Sequence, residues 1–179
     1  MAIIRNQPKK LNSMDIKLLL LRYYRRQGFF CCTEFNQMDI FGFETFPGNP
    51  KKKPIGVEIE IKISKADLIA DKKKTKHINY GYETGYNHGK IMNFLANKFY
   101  YAVPAFLVED AIKQCKELNN NYGVLEIQNV KHDAIYEPIV RKKARKFDFD
   151  LEMDKVWRYF AGRCSNEILT LREKINKII

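Results

Sequence analysis

The chain has 179 residues and carries 32 Lys and Arg against 21 Asp and Glu, so its formal net charge is +11. With 45% hydrophobic residues, it is too apolar for an intrinsically disordered chain. A globule of this length buries about 70% of its extended-chain surface, which is enough for a core without disulfides or structural metals. We therefore expect one domain (1–179), with a core over about 13–130 and a helical extension over about 151–179.

Charge and hydropathy also limit the partners. The apolar run 18–21 is far shorter than the roughly 18 residues that a bilayer span needs, so we expect a cytoplasmic protein with no membrane partner. Positive charge falls in four blocks that would attract a polyanion such as nucleic acid, although solvated lysines are the simpler reading of any one block. The blocks lie at 22–26, 51–53, 72–76 and 141–146.

The predicted elements follow each other in a mixed order. Ser13 is a plausible N-cap for a helix that Gly28 ends, and Ser64 is a plausible cap for a second helix. A third helix is predicted over 106–118, and a segment rich in Tyr and Gly, 77–89, is predicted to be a mobile or helical insertion. Strands are predicted over 29–35, 38–43, 57–63, 98–103 and 122–128. This order predicts an α/β (α+β) fold with a four- to five-stranded mixed sheet flanked by helices.

The C-terminal segment shows a heptad pattern. Its apolar residues are spaced by 4, 3, 4, 3, 4 and 3 positions. We expect a long helix docked on its own domain, and a homodimer seam is the alternative. The residues of the pattern are Trp157, Ala161, Cys164, Ile168, Leu171, Ile175 and Ile178.

The strand predicted over 57–63 carries the clearest functional signal. Its odd positions are all apolar, while Glu58, Glu60 and Lys62 share the other face. One interpretation is an antiparallel strand with one solvated side. The other is a site, because the preceding strand places Asp39 among apolar residues.

A hairpin between these two strands, closed near residues 48–49, would pair positions whose numbers sum to about 98–100. Asp39 then lies opposite 59–61 and close to Glu60. Two converging carboxylates repel unless one is protonated or a cation bridges them, and a cluster of oxygen ligands favours Mg²⁺, with Mn²⁺ as a substitute. Lys62, about 7 Å further along the same face, would orient or deprotonate a water or stabilise charge on a phosphate. The residues predict phosphodiester hydrolysis.

Asp39, followed by Glu60-Ile61-Lys62 between two helices, resembles the PD-(D/E)XK (restriction-endonuclease-like) nuclease superfamily. The stretches 57–74, 98–104 and 122–127 are similar to the small MmcB-like DNA-repair endonucleases, and the resemblance covers about 15–128. It implies a Mg²⁺-dependent DNA endonuclease acting in DNA repair, recombination or mobile-element DNA processing. Asp39, Glu60 and the backbone carbonyl of Ile61 would be the metal ligands, and Lys62 would assist the water. Met38 stands where the superfamily name has proline.

Other residues are candidates for supporting roles. Asp15, Glu34 and Glu58 are accessory acids; Asp15 is equally well explained by the helix dipole, and Glu34 would share the face of Asp39 only through a bulge or turn at 36–37. The expected nucleic-acid contacts are Lys51, Lys52, Lys53, Lys72, Lys73, Lys74, Tyr82, Tyr86 and Lys90. Two other functions stay open, a nucleic-acid-binding module that cleaves nothing and a protein that assembles through the C-terminal helix.

Overall fold

Strands and helices alternate along the chain in a computed structural model, which describes residues 12–35, 38–46, 48–49, 51–74, 76–77, 86–87, 90–91, 96–128 and 137–176. The helices are α1 (Ser13–Arg26), α2 (Lys65–Asp71), α3 (Val108–Leu118) and α4 (Met153–Asn176), with a 3₁₀ turn at Ala105–Leu107 before α3. The strands are β1 (Phe30–Phe35), β2 (Met38–Glu44), β3 (Ile55–Ile61), β4 (Tyr86–Asn87), β5 (Lys90–Ile91), β6 (Lys98–Pro104), β7 (Gly123–Ile127) and β8 (Ile139–Lys142).

Six of these strands form one mixed sheet in the order β1-β2-β3-β6-β7-β8, and β4 pairs only with β5. The centre, β3-β6-β7, is parallel, and the other neighbours are antiparallel. The expected fold class is confirmed, but the sheet has six strands where four to five were predicted. The additional strand is β8, which lies beyond the predicted core range of 13–130. Its four residues, Ile-Val-Arg-Lys, are too few to show an alternating pattern.

Both faces of the sheet are covered. On one face α1 packs on apolar residues of β3 and on Tyr100, Ala102 and Leu125, and on the other α3 packs on Phe99, Tyr101 and Val124. A third cluster joins β1 and β2 to α4 through Phe35, Phe41 and Val156. β3 therefore lies inside the protein with covered surfaces on both sides.

The start of α1 differs by one residue from the prediction. Asn12, not Ser13, is the N-cap, and it forms a capping box with Asp15: the Asp15 N–H donates to Asn12 Oδ1 at 2.8 Å. Both residue types cap well, but only Asn12 has an acid three positions later. The helix ends before Gly28, whose φ of 88° favours glycine.

α4 docks on β1 and β2 through a stripe offset from the predicted heptad. Val156 is buried, Met153, Phe160 and Cys164 pack partly against the same cluster, and the Trp157 ring lies 4.8 Å from that of Phe43. The helix is therefore docked on its own chain, as expected. Beyond this stripe Ile168, Leu169 and Leu171 are exposed, and the homodimer seam stays a prediction. Among the helices that the structure describes, none combines the length and apolar composition of a bilayer span.

Candidate functional site

The charged face of β3 is buried. Glu58 and Glu60 are each 1% exposed and Lys62 is 3% exposed. The interpretation of this face as a solvated side is therefore wrong, because α2 and the residues after it cover the face. β3 itself ends at Ile61, two residues earlier than predicted, but the Lys62 N–H still donates to the Ala102 carbonyl at 3.0 Å.

Asp39 lies at the position opposite Glu60. The β2–β3 register pairs Ile40 with Ile59, a sum of 99 that confirms the predicted hairpin and sets 39 against 60. Asp39 Oδ2 accepts the backbone N–H of Ile61 at 2.9 Å. The hydrogen bond fixes this carboxylate beside the Glu60-Ile61-Lys62 segment.

Glu34 is the acid on the other side of Asp39. The β1–β2 register pairs Thr33 with Ile40 and Phe35 with Met38, so Glu34 and Asp39 occupy opposite positions. The two acids thus lie at opposite positions despite their odd separation; residues 36–37, where a bulge or turn was expected to reset the alternation, lie outside the described residues. Glu34 adopts a φ of 51°, which costs about 1–2 kcal/mol for a residue with a Cβ.

Lys17 joins these two acids, and it was not predicted. It lies on the buried side of α1, and its Nζ contacts Glu34 Oε1 and lies 3.1 Å from Asp39 Oδ1. Burial alone would lower the pKa of Lys17, but the hydrogen bonds with Glu34 and Asp39 outweigh that effect and raise it.

Glu60 is surrounded by lysine side chains. Its Oε2 lies 3.1 Å from Lys62 Nζ and 3.1 Å from Lys74 Nζ, and its Oε1 contacts Lys76 Nζ. Lys76 Nζ also lies 2.8 Å from Glu58 Oε1. The 72–76 basic block, predicted to face a polyanion, therefore turns two of its lysines onto buried carboxylates.

Lys62 is held between β3 and α2. Its Nζ lies 2.9 Å from Asp71 Oδ1 and 3.7 Å from Asp67 Oδ1, in addition to the contact with Glu60. Burial would lower the pKa of Lys62, but Glu60 and Asp71 outweigh it, so the pKa lies above its ordinary value. The side chain is an ammonium in this arrangement and is not a ready proton acceptor.

Asp71, at the end of α2, is the most fully engaged acid of the group. Its Oδ2 accepts hydrogen bonds from Tyr101 Oη and His77 Nε2, each at 2.7 Å, and its Oδ1 lies 2.9 and 2.8 Å from Lys62 and Lys74 Nζ. Burial would raise the pKa of Asp71, but His77, Lys74, Lys62 and Tyr101 outweigh it and hold the pKa well below its usual range. Asp71 thus forms ion pairs with two lysines, one directly after β3 and one after α2.

Sequence reasoning missed His77 because an isolated histidine carries no ligand spacing. Its Nδ1 lies 3.0 Å from Tyr122 Oη. Since a carboxylate only accepts, His77 Nε2 is the donor in the hydrogen bond to Asp71. Asp71 is thereby connected to Tyr101 of β6 and, through His77, to Tyr122 directly before β7.

Carboxylates outnumber ammonium groups in this cluster. Counted together, the group has six carboxylates against four ammonium groups, a formal charge of −2 with His77 taken as neutral. Within the described part of the chain, no three His, Cys, Asp or Glu side chains converge on one point. Mg²⁺ is usually held by one or two carboxylates with water and phosphate, so Asp39 and Glu60 suit it. The acids are Glu34, Asp39, Glu58, Glu60, Asp67 and Asp71, and the lysines are Lys17, Lys62, Lys74 and Lys76.

The remaining candidates lie apart from this group or outside the described residues. Asp15 is engaged in the α1 capping box. Lys51 is exposed, Lys52 Nζ lies 3.5 Å above the Phe46 ring, and Lys53 pairs with Asp150 at 2.7 Å. Lys72 pairs with Glu117 and Lys73 is exposed. Tyr82 and the side chains of Tyr86 and Lys90 lie outside the described residues, as does most of 77–96.

Comparison with known proteins adds the fold alone. No family model matches the chain, and no curated protein matches it. Among solved structures, the chain is similar to the SPO1766 protein of unknown function from Silicibacter pomeroyi, at 18% identity and a TM-score of 0.58. The match covers 96% of this chain and 95% of that one. The same order of helices and strands is thus found in a protein whose sequence is largely different.

Proposed function

We propose that the chain is a metal-dependent DNA endonuclease whose reaction centre lies on the charged face of β3. One observation carries the proposal: Asp39 and Glu60 occupy opposite positions on neighbouring strands, with Lys62 held 3.1 Å from Glu60. Two carboxylates, the ligand type that a hard cation prefers, thus lie beside a fixed positive charge. That charge suits the stabilisation of a phosphate.

Asp39, Glu60 and the carbonyl of Ile61 would hold Mg²⁺ or Mn²⁺, which supplies a Lewis acid and lowers the pKa of a bound water. In the hydrolysis, a water oxygen forms a bond to phosphorus while the bond from phosphorus to one sugar oxygen breaks, and that oxygen leaves with a proton. Because Lys62 is an ammonium, its role is to stabilise the negative charge that develops on the phosphate oxygens, not to accept a proton. The hydrogen bond from the Ile61 N–H fixes the Asp39 carboxylate beside the Glu60-Ile61-Lys62 segment.

The net charge supports DNA as the partner. The chain carries +11 overall while the site carries −2, so a polyanion is attracted by the exterior while the carboxylate cluster is left for a cation. The exposed lysines at 51 and 73 suit contacts to the phosphate backbone. DNA repair, recombination and mobile-element DNA processing are the roles that fit such a domain.

A nucleic-acid-binding protein without cleavage is the second candidate. The observation in its favour is that lysines already neutralise both proposed metal ligands, with Lys17 on Asp39 and three lysines on Glu60. A cation has to displace at least some of these ammonium groups. If the ammonium groups bind the carboxylates too firmly for a cation to displace them, the protein binds nucleic acid without cleaving it.

A cleavage assay separates the two. Supercoiled plasmid and labelled single-stranded and branched DNA are incubated with Mg²⁺, Mn²⁺ or EDTA, using wild type, Asp39→Ala and Lys62→Ala, and binding is scored in the same samples. The nuclease proposal expects cleavage that requires the metal and is lost in both variants while binding persists. If no substrate is cut and all three proteins bind alike, the binding module replaces it.

A further inference from the structure

A buried hydrogen-bond network stands behind the proposed reaction centre. It joins Asp71, His77, Tyr101, Gln114 and Tyr122, all of them buried. Gln114 Nε2 donates to the Leu68 carbonyl at 2.7 Å and to Tyr101 Oη at 3.2 Å, and Tyr101 Oη donates onward to Asp71. The network therefore connects α2, α3, β6 and the residue before β7 to the Asp71 carboxylate, directly or through one intervening side chain.

The two oxygens of that carboxylate have separate partners. Oδ2 is taken up by Tyr101 and His77, which fix its position, and Oδ1 faces the ammonium groups of Lys62 and Lys74. Because Oδ2 is fixed by these two hydrogen bonds, Oδ1 is held in a defined position facing the ammonium groups. Lys62 is thus held from two sides, by Glu60 Oε2 at 3.1 Å and by Asp71 Oδ1 at 2.9 Å.

Stability alone is a weak reason for this arrangement. Replacing a buried ionic network by well-packed apolar side chains is often neutral or stabilising, because the charges must be removed from water. A lysine has four rotatable side-chain bonds, and a reaction step that depends on its ammonium gains from a fixed position, since a misplacement of about 1 Å can cost 100-fold in rate.

We propose that Asp71 is a positioning residue for the Lys62 ammonium, and that His77 and Tyr101 fix Asp71 for this purpose. The inference rests on the proposed nuclease function and extends it to a residue outside the Asp39, Glu60 and Lys62 set. Because Asp71 acts through Lys62, a substitution of Asp71 should change the rate of the reaction step and not the affinity for the substrate.

The kinetic test uses the DNA substrate that wild type cleaves. Asp71→Asn should lower kcat at least tenfold and change KM less than about twofold, and Asp71→Glu should recover part of the loss. Asp110→Asn is the control, since it removes a partly exposed carboxylate whose ion pair is with Lys65 and not with Lys62, and it should cleave within twofold of wild type. Tyr101→Phe, which keeps the carboxylate and removes one hydrogen bond to it, should lose a few-fold and covers the case in which Asp71→Asn does not fold.

A double-mutant cycle tests whether Asp71 acts through Lys62. In a Lys62→Met background, Asp71→Asn should cause no further loss beyond twofold. The same fold-loss in both backgrounds would contradict the inference, because it would indicate a general structural role. Loss of activity that only follows the loss of folded protein, measured by circular dichroism, would contradict it as well.

A second readout does not depend on activity. With ¹⁵N-labelled lysine, the Lys62 ammonium should give a protected cross-peak, assigned by its absence in Lys62→Met, that Asp71→Asn removes and Asp110→Asn retains. A cross-peak that is unchanged in Asp71→Asn would overturn the positioning role. Absence of cleavage by wild type would instead contradict the proposed function and, with it, the reaction for which Lys62 is positioned.

Discussion

On β3, Val57, Ile59 and Ile61 lie on the face that packs against α1, and Glu58, Glu60 and Lys62 lie on the opposite face. The apolar residues are 3%, 1% and 4% exposed, and the charged residues are 1%, 1% and 3% exposed. One strand thus presents two equally buried faces with opposite chemistry. The apolar face needs only close packing, whereas each charge on the other face needs a partner, which Asp71 of α2 and Lys74 and Lys76 after it provide.

The comparison separates the face of β3 that stabilises the fold from the face whose side chains suit a chemical reaction. Burying an aliphatic side chain contributes about 1.5–3 kcal/mol, while a buried ion pair frequently contributes little after its desolvation cost. Substitutions on the first face should therefore change stability alone, whereas substitutions on the second should change reactivity and also cost stability, because removing one partner leaves a buried charge uncompensated.

The largest expected effect belongs to the charged face. Lys62→Met removes the ammonium and keeps most of the side-chain volume, and it should lower the single-turnover cleavage rate by at least about 100-fold, the cost of removing one group that stabilises transition-state charge. Quenched-flow or gel-based cleavage at saturating protein measures it. A rate within threefold of wild type would remove Lys62 from the reaction.

On the apolar face, Ile59→Ala should lower the free energy of unfolding by about 3 kcal/mol, through lost burial and the cavity left behind. Urea denaturation followed by circular dichroism measures the change. Ile69→Ala, at an exposed position of α2, is the control and should stay within about 0.5 kcal/mol. Cleavage per folded molecule should be unchanged in both variants; a large loss with Ile59→Ala would break the separation between the two faces.

Ionisation of Asp71 should make the free energy of unfolding depend on pH in the acidic range. Because its pKa in the folded state is depressed, its contribution is complete above the pKa of an unfolded aspartate, about 3.9, and declines as the pH falls below that value. The difference in unfolding free energy between wild type and Asp71→Asn should therefore narrow between pH 6 and pH 3. Urea midpoints across this range measure it, and a constant difference would contradict the assigned ionisation.

The smallest effect is expected outside both faces. Lys73 is exposed in the turn after α2, and Lys73→Ala should weaken DNA binding by a few-fold and reduce the slope of log affinity against log salt by about 1. Fluorescence anisotropy at several salt concentrations measures it. Lys155→Ala on α4 serves as the comparison and should leave the slope unchanged. Equal slopes for both variants and wild type would place the DNA contact elsewhere.

The local sequence pattern was sufficient to predict β3 and its hairpin with β2. It was not sufficient to predict which side chains surround the charged residues. The alternation from Val57 to Lys62 and the turn residues between β2 and β3 predicted a hairpin whose paired residue numbers sum to about 98–100, and the pairing of Ile40 with Ile59 confirms that register. Lys17 and His77 could not be predicted, because they reach Asp39 and Asp71 from 22 and 6 positions away without a repeat or motif. β8 escaped prediction for the same reason, since its pairing with β7 depends on a tertiary contact.

The most direct test of the central claim compares two buried glutamates on the same side of the sheet. Glu60 has three lysine partners, whereas Glu126 of β7 pairs with Arg141 alone among basic side chains in the described structure. In single-turnover cleavage with Mg²⁺, Glu60→Gln should lose at least about 1,000-fold, close to the range seen when a reaction-centre group is removed, and Glu126→Gln should stay within threefold of wild type. Equal rates for the two variants would contradict the assignment of the β3 face as the reaction centre.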